Sequence, residues 1–254
     1  MSAPTVLLKI AGLTKSFGGL RALDSLSFDV GAGEVVAVIG PNGAGKSTCF
    51  NLIGGQLAAD SGSIELEGRA IGRLPAHARV PLGLARTFQI AGAFSSLTLA
   101  ENLQVALAIK AKLAANLVRG GSQLFKEEAL ALLERVELAA RADQRSGALP
   151  YGDLKRLELA IALAAQPRLL LLDEPTAGLA GAERHLLMKL AVSEAQQRGL
   201  AVLFTEHDVD LVFTFAERIL VLDRGRRIAE GKPDAVRGDP RVRAIYLGSD
   251  AVAS

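Results

Sequence analysis

The order of apolar and polar residues along the chain predicts alternating strands and helices. Near the start, the segments VLLKIAGLTKSFG and LDSLSFDV have strand composition, and Leu26, Phe28 and Val30 alternate with polar neighbours. The run EVVAVIG at 34–40 is continuously apolar and ends in glycine, which is typical of a parallel strand buried on both faces. A helix is predicted from Gly45 to about Leu57, followed by a short strand in SGSIELEG.

The remainder of the chain predicts a helical segment and then more buried strands. Residues 90–165 have mainly helical character, with the clearest amphipathic pattern in FKEEALALLERVEL at 125–138. RLLLLDE at 168–174 and LAVLFTEHD at 200–208 read as buried strands, and RILVLDRGRRIAEG reads as two strands around a tight Asp-Arg-Gly turn. We therefore expect an α/β core that is interrupted by a helical insertion.

Composition and charge exclude several classes of function. Half of the 254 residues are hydrophobic, only 4% are aromatic, and the formal charge is +2, so nucleic-acid binding is not suggested. The single cysteine, Cys49, cannot form an internal disulfide, which favours a reducing compartment. The longest uncharged apolar run, Thr87 to Ala100, has 14 residues, whereas a membrane span needs about 20. We expect a soluble chain whose membrane role, if any, comes through a partner.

The segment GPNGAGKST at 40–48 is the strongest chemical signal. It fits the pattern G-x-x-x-x-G-K-[ST] at Gly40, Gly45, Lys46 and Ser47, between a predicted strand and a predicted helix. Glycines let successive backbone N–H groups turn toward a phosphate, the lysine adds a positive charge, and the serine hydroxyl can bind Mg²⁺. An ordinary glycine-rich turn is the alternative, and the flanking elements argue against it.

Two adjacent carboxylates end a predicted buried strand in LLLLDEP. Asp173 would hold Mg²⁺ through water, and Glu174 is the candidate general base for an attacking water. On their own, these residues would be read as a structural strand end, and the nearby phosphate loop favours the functional reading. His207 and Gln89 also follow predicted strands and could reach the terminal phosphate, Mg²⁺ or water. Their alternatives, a structural histidine and a plain turn residue, stay open at this point.

A second anion site is predicted in LPYGDLKR at 149–156. A Pro-Tyr-Gly turn leads into the apolar helix LELAIALAA, and the free N–H groups at such a helix start favour an anion. The alternative is simple helix capping, with Asp153 favoured in the first turn by the helix dipole.

Taken in order, GPNGAGKST, RTFQ, LPYGDLKR, LLLLDEPTAGL and TEHD resemble the ATP-binding subunit of an ABC transporter. KSFGGLRAL, LARTFQ, the Tyr-Gly form of the signature and VRAIYLG resemble more narrowly the ATPases of branched-chain amino acid importers. The resemblance implies one ABC domain over 1–254, with a P-loop NTPase core and an N-terminal antiparallel β subdomain in about 1–89 and 166–254. Residues of about 90–165 would form the helical signature subdomain.

The resemblance also implies a role for each motif residue, with ATP and Mg²⁺ as the bound groups. Phe17 would stack on adenine, Gln89 would sense Mg²⁺ and couple to the membrane partner, His207 would be the switch histidine, and 177–180 the D-loop. The expected catalytic residues are Glu174, His207, Gln89 and Lys46, and the expected metal-binding residues are Ser47, Gln89 and Asp173. The residues expected to contact nucleotide are Phe17, Pro41, Asn42, Gly43, Ala44, Gly45, Lys46, Ser47, Thr48, Tyr151, Gly152 and Asp153.

The partners implied by the resemblance explain the second anion site. ABC ATPases pair head to tail, so that the signature around Gly152 covers ATP held by the other subunit. The expected partners are two transmembrane permease subunits, a second copy or a related ABC ATPase, and, indirectly, a substrate-binding protein. The chain would then lie at the cytoplasmic face of the plasma membrane. The alternatives are a non-transport ABC ATPase, such as a translation or DNA-repair factor, and a P-loop kinase acting on a small substrate.

Three residues depart from the family pattern. Asp153 stands where the signature usually has Gln, Pro150 where it has Ser, and Ala180 where the D-loop has Asp. The proline removes a hydroxyl donor to the γ-phosphate, so backbone N–H groups must carry more of that contact. We expect Asp153 to point away from the phosphate and to cap its helix. Hydrolysis is still expected, because Lys46, Asp173 and Glu174 are unchanged.

Overall fold

The structure, a computed structural model, describes residues 5–87, 93–111 and 124–247. Two sheets organise the chain. An antiparallel sheet of four strands has the order β2-β1-β4-β5. Its strands are β1 (Val6–Phe17), β2 (Leu20–Gly31), β4 (Ser61–Leu66) and β5 (Arg69–Ala70).

The central sheet has six strands in the order β10-β9-β3-β8-β7-β6. All of its neighbouring strands are parallel except β9 and β10, which form the antiparallel hairpin predicted around the Asp-Arg-Gly turn. Its strands are β3 (Val35–Ile39), β6 (Leu84–Arg86), β7 (Leu169–Asp173), β8 (Ala201–Thr205), β9 (Arg218–Asp223) and β10 (Arg226–Gly231).

Nine α-helices lie in the described part of the chain. They are α1 (Lys46–Gly54), α2 (Ala76–Arg79), α3 (Leu99–Lys110), α4 (Lys126–Arg135), α5 (Tyr151–Ala164), α6 (Gly181–Arg198), α7 (Val209–Phe215), α8 (Pro233–Gly238) and α9 (Pro240–Val242). Short 3₁₀ turns lie at Val80–Leu82, Ala139–Arg141 and Ser146–Ala148, and a π turn at Arg243–Leu247. None of the described helices is both long and apolar enough to cross a membrane.

The central sheet is buried on both faces, as the apolar run at 34–40 predicts. Along β3, Val35, Ala37 and Ile39 pack with the helices on one side, while Val36 and Val38 pack with α1 and the antiparallel sheet on the other. The alternation follows from the period of two in a strand. Because β3, β7, β8 and β9 are parallel, their carboxyl ends meet at one edge, where a βα fold places its ligands.

Helix α1 ends earlier than predicted. It stops at Gly54 instead of near Leu57, because Gly55 takes the left-handed conformation, with φ +83°, and its N–H bonds back to the carbonyl of Leu52. A glycine in this conformation commonly terminates a helix. The other predicted boundaries shift by a few residues: the amphipathic segment at 125–138 is helical only over α4.

Candidate functional site

The phosphate loop connects β3 to α1 and is held by its own lysine. The side chain of Lys46 is buried, and its Nζ donates to the carbonyls of Gly40 at 2.7 Å and Pro41 at 3.2 Å. Burial lowers the pKa of the Lys46 ammonium, and the charges of Glu174 and Asp173 offset part of that effect. The lysine side chain thus lies against the backbone of its own loop.

The absence of a side chain at Gly45 allows α1 to pack closely against β2, in addition to leaving room for a phosphate. Gly45 has φ +100°, and a Cβ added there would lie 2.5 Å from the carbonyl oxygen of Ala22 and 2.7 Å from a methyl group of Leu23. Any side chain would therefore push α1 away from β2. Gly43, by contrast, has φ +79° and faces open space, which leaves the backbone around it accessible to a ligand.

One open cleft brings together three groups that were predicted from the sequence: the ring of Phe17, the phosphate loop and the carboxylate of Glu174. It is lined by Phe17, Leu20, Arg21, Ala22, Asn42, Gly43, Ala44, Gly45, Lys46, Ser47, Thr48, Glu174 and Arg224. The ring of Phe17 is 46% exposed, and Nζ of Lys15 lies 5.6 Å from its centroid. An exposed aromatic beside an anion-binding loop can stack on a base while the loop holds phosphates.

The same cleft contains two arginines that sequence reasoning missed. Arg224 lies in the turn between β9 and β10, and Arg21 lies at the start of β2. The turn reaches the loop because Gly225 donates its N–H to the carbonyl of Ala44 at 3.0 Å. The parallel-strand rule could have found Arg224, since it follows the carboxyl end of β9 at the same edge as the phosphate loop.

The two carboxylates at the end of β7 have different surroundings. Asp173 is 7% exposed; its Oδ1 accepts a hydrogen bond from the Thr205 hydroxyl at 2.8 Å, and its Oδ2 pairs with Nη2 of Arg86 at 2.8 Å. Glu174 has φ +48°, and its N–H donates to the backbone oxygen and the hydroxyl of Thr205. A positive φ is uncommon for glutamate and turns its side chain into the cleft instead of continuing the strand.

His207 contacts Glu174 directly. Nε2 of His207 lies 2.8 Å from Oε1 of Glu174, and half of the histidine side chain is exposed. The sequence places both residues just after neighbouring strands, and the parallel pairing of β7 with β8 brings them together. His207 does not line the described cleft itself and reaches it through its contact with Glu174.

Two other predicted site residues, Gln89 and Pro41, are not seen among those that line the cleft. Gln89 lies outside the described residues. Pro41 is half-buried and lies outside the cleft lining; its carbonyl accepts a hydrogen bond from Lys46.

A buried carboxylate that was not predicted, Glu206, accepts a hydrogen bond from the backbone N–H of Thr176 at 3.0 Å and so holds the segment after Glu174.

The predicted second anion site lies at the start of α5, away from the phosphate loop of the same chain. Among the described residues that line the cleft, Tyr151, Gly152 and Asp153 do not occur. The ring of Tyr151 is 49% exposed and lies against Gly178, and a Cβ on Gly152 would lie 2.6 Å from Oε1 of Glu183. The start of α5 therefore packs on the segment that leads into α6.

The capping role expected for Asp153 is wrong. Pro150 precedes α5 and no side chain caps this helix start; Asp153 instead pairs with Arg141 and Arg156. Asp153 is buried, with 7% of its surface exposed, and these two guanidinium groups balance its charge. The acidic group is thus turned into ion pairs, and its departure from the usual glutamine does not leave a free negative charge at the helix start.

Several known proteins match this chain in sequence. The ABC transporter family model matches residues 23–177, and the model described as branched-chain amino acid ATP-binding cassette transporter matches residues 226–252. The chain is 38% identical over 260 residues to BraF of Pseudomonas aeruginosa, a high-affinity branched-chain amino acid transport ATP-binding protein, covering 98% of this chain and 99% of BraF. It is 35% identical over 242 residues to the lipopolysaccharide export ATP-binding protein LptB of Haemophilus influenzae, covering 95% and 97%.

A solved structure with the same fold is the ATP-binding cassette MJ1267 of an ABC transporter in its ADP conformation. It superposes with a TM-score of 0.84 at 31% identity and covers 96% of this chain and 99% of that one. Both the sequence and the fold therefore match over almost the full length. The chain belongs to the ATP-binding proteins of the ABC transporter family.

Proposed function

We propose that this chain is the ATP-hydrolysing subunit of an importer for branched-chain or related amino acids. The observation that carries the ATPase part is the single cleft that unites Phe17, the phosphate loop and Glu174. Three different segments of the chain supply these groups, and ATP needs all three: a surface for its base, a cradle for its phosphates and a carboxylate beside them.

ATP would lie along this cleft from Phe17 to Glu174. Adenine would stack on the exposed ring of Phe17, and the N–H groups from Gly43 to Thr48 would surround the β- and γ-phosphates. Lys46 would then exchange the carbonyls of Gly40 and Pro41 for phosphate oxygens. Each hydrogen bond from Lys46 to a phosphate oxygen would thus replace a hydrogen bond to a backbone carbonyl.

The oxygen donors at the site fit magnesium. The described residues contain no group of three or more His, Cys, Asp or Glu that could hold a metal by themselves. Mg²⁺ is usually bound by one or two protein oxygens together with substrate phosphates and water. The hydroxyl of the exposed Ser47 would supply a protein oxygen, the carboxylate of Asp173 would hold the metal through water, and Gln89 would add an amide oxygen. The metal would neutralise charge on the phosphate oxygens.

Glu174 would act as general base in hydrolysis. Its carboxylate would take a proton from water as the water oxygen bonds to the γ-phosphorus, while the bond from that phosphorus to the bridging oxygen of ADP breaks. His207 holds Oε1 of Glu174 and would orient it toward that water. The products are ADP and inorganic phosphate.

The start of α5 would complete the site of a partner ATPase. Its residues are not among those that line the described cleft of its own chain, and its N–H groups suit the γ-phosphate of a nucleotide held by another subunit. ATP binding would bring two ATPases together and move the attached permeases, because the nucleotide contacts both subunits only in the closed state. In the proposed assembly, the two ATPases lie at the cytoplasmic face of the membrane and bind two permease subunits. A substrate-binding protein acts on the opposite side of the membrane.

The C-terminal segment favours amino acids as cargo. Overall identity does not decide this point, since BraF and LptB differ by only a few per cent in identity to the chain. The match over residues 226–252 to the branched-chain amino acid model is the feature that favours import of these amino acids. The described part of this segment forms β10, α8 and α9 and packs beside β9 of the core.

Affinity purification from native membranes tests the proposal. The tagged chain is extracted in mild detergent, and we expect two polytopic membrane proteins and a second ATPase, or a second copy of this chain, to co-purify. Reconstituted with the associated binding protein, the complex should take up leucine, isoleucine or valine only with ATP. Ribosomal or DNA-repair partners without any membrane protein would contradict transport while leaving the ATPase intact.

A further inference from the structure

Arg86, the last residue of β6, joins three parts of the site. Its Nη2 pairs with Oδ2 of Asp173, and its Nη1 donates to the side-chain oxygens of Asn51 at 2.8 Å and Gln56 at 2.9 Å. The side chains of the ion pair are only 11% and 6% exposed. Asn51 belongs to α1, which carries the phosphate loop, so one guanidinium links that helix to the end of β7.

This arrangement is not the one that stability alone would select. Nε of Arg86 is buried without a hydrogen-bond partner among the described residues. A buried N–H without a partner is unfavourable, and a buried ion pair gains little over well-packed apolar residues. Buried polar groups that cost stability are commonly found at functional sites. Here the arginine contacts Asp173, the carboxylate that we assign to the metal.

The two oxygens of Asp173 have partners of different charge. Oδ1 accepts a hydrogen bond from the neutral hydroxyl of Thr205, and Oδ2 pairs with the positively charged guanidinium of Arg86. The carboxylate is therefore fixed in direction before any metal arrives, and its negative charge is partly neutralised. We infer that Arg86 acts on the site through Asp173 by weakening the attraction of this carboxylate for the metal, a role that rests on the magnesium site proposed above. When Arg86 is replaced, the hydrogen bond from the Thr205 hydroxyl would still orient the carboxylate.

This role predicts an effect that loss of structure cannot produce. Replacing Arg86 by glutamine removes a positive charge next to the site, so the metal should bind more tightly. A residue that only supports the fold would, when replaced, leave the metal site looser and the metal more weakly bound. The sign of the change in metal affinity therefore separates the two roles.

The experiment is a titration of the full-length chain with Mn²⁺ in saturating ADP, in which electron paramagnetic resonance measures the free ion. We expect Arg86→Gln to bind Mn²⁺ about three- to tenfold more tightly than the wild type. Arg86→Lys keeps the charge and should stay within about twofold of the wild type. Arg135→Gln, which breaks the ion pair of Arg135 with Glu194 between α4 and α6, is the matched control and should change nothing.

The outcomes are distinct. Unchanged or weaker Mn²⁺ binding by Arg86→Gln, or tighter binding by Arg86→Lys as well, would overturn the inference. If Arg86→Gln does not fold, Arg86→Met takes its place, because methionine also removes the charge: tighter Mn²⁺ binding supports the role, and unchanged or weaker binding contradicts it. A wild-type chain that shows no ADP-dependent Mn²⁺ binding would instead contradict the magnesium site itself.

Discussion

His207 and Glu174 form a direct contact, with Nε2 of the histidine 2.8 Å from Oε1 of the glutamate. A carboxylate can only accept, so the histidine carries its hydrogen on Nε2 in this contact. The residues are 33 positions apart, and two neighbouring parallel strands, β7 and β8, bring them together. The proposed general base is thus in contact with a second polar side chain that follows the neighbouring strand.

Replacement of His207 by alanine should slow hydrolysis and spare binding. Without the imidazole, Glu174 loses the contact that directs Oε1, and we expect kcat to fall about 10²- to 10⁴-fold. The affinity for ATP should change little, because the phosphate loop and Phe17 are untouched. Steady-state ATPase assays and calorimetric ATP titration measure the two quantities. His185→Ala removes an exposed histidine on α6 and is the control; equal activity in both variants would contradict the role of His207.

Replacement of Lys46 by alanine should abolish nucleotide binding. The ammonium is the positive charge of the phosphate loop, and two charge-assisted bonds to phosphates correspond to about 10²-fold or more in affinity. The chain should still fold, because the two hydrogen bonds of the lysine go to carbonyls of its own loop and join no other element. Isothermal titration with ATP gives the affinity, and Lys189→Ala, on the exposed side of α6, is the control. An ATP affinity equal to that of the wild type would refute the assignment of this loop.

The sequence predicted much of this site, and the parts it missed depend on distant contacts. Continuous apolar runs predict β3, β7 and β8, and their parallel pairing places Glu174 and His207 at one edge. Arg86 could not be assigned, because β6 has only three residues and its partner Asp173 is 87 positions away. A strand this short has no periodicity to read.

The error at Asp153 has the same cause. Its pairing with Arg156, three residues on in α5, is the kind of contact that helix spacing predicts. Its pairing with Arg141 depends on how the turn before α5 folds back, which local pattern does not reveal. A first-turn acid was therefore assigned to the cap when it belongs to an ion-pair cluster.

Replacement of Phe17 by alanine should weaken nucleotide binding without affecting the chemistry. Stacking of a base on an aromatic ring corresponds to about 5- to 100-fold in affinity. The ring is 46% exposed, so its loss should cost the fold little. Fluorescent ATP analogues report the dissociation constant, and kcat at saturation should be unchanged. Phe94→Ala removes another exposed phenylalanine that does not line the cleft and is the control; a similar loss in both would contradict stacking.

Replacement of Gly152 by alanine should prevent the ATP-bound dimer. The new Cβ would meet Oε1 of Glu183 at 2.6 Å, but this atom ends an exposed, flexible side chain that can move, so the monomer should fold. The methyl group would instead block close approach of a phosphate to the start of α5.

The measurement for Gly152 uses a Glu174→Gln background, which should hold ATP without hydrolysing it. Light scattering in Mg-ATP should show a dimer for Glu174→Gln alone and a monomer when Gly152→Ala is added, with the second ATPase co-expressed if the pair is mixed. Gly181→Ala is the control, because an added Cβ there meets nothing within 4 Å. A dimer that persists with Gly152→Ala would contradict the role of this helix start, and a monomer for Glu174→Gln alone would contradict the dimer mechanism.

Replacement of Glu206 by glutamine should change how stability depends on pH. Burial raises the pKa of Glu206 above its ordinary 4.5, an effect that hydrogen bonds from Thr176 and His207 offset in part and the charge of Glu174 reinforces. Between 4.5 and the raised pKa, the folded chain keeps a proton that the unfolded chain has lost. The free energy of unfolding of the wild type therefore falls as pH rises through this window.

Glutamine keeps the carbonyl that accepts the Thr176 N–H and never ionises, so Glu206→Gln should lack this part of the fall. Urea unfolding measures the free energy of unfolding at several pH values from about 4.5 to 8. Relative to the wild type, the free energy of unfolding of the variant should increase as pH rises, and the difference should become constant above the raised pKa. Glu128→Gln, an exposed substitution on α4, should run parallel to the wild type. A difference between Glu206→Gln and the wild type that stays constant from pH 4.5 upward would mean that Glu206 ionises as easily in the folded chain as in the unfolded one. The buried acid would then hold the segment after Glu174 at no cost to stability at neutral pH.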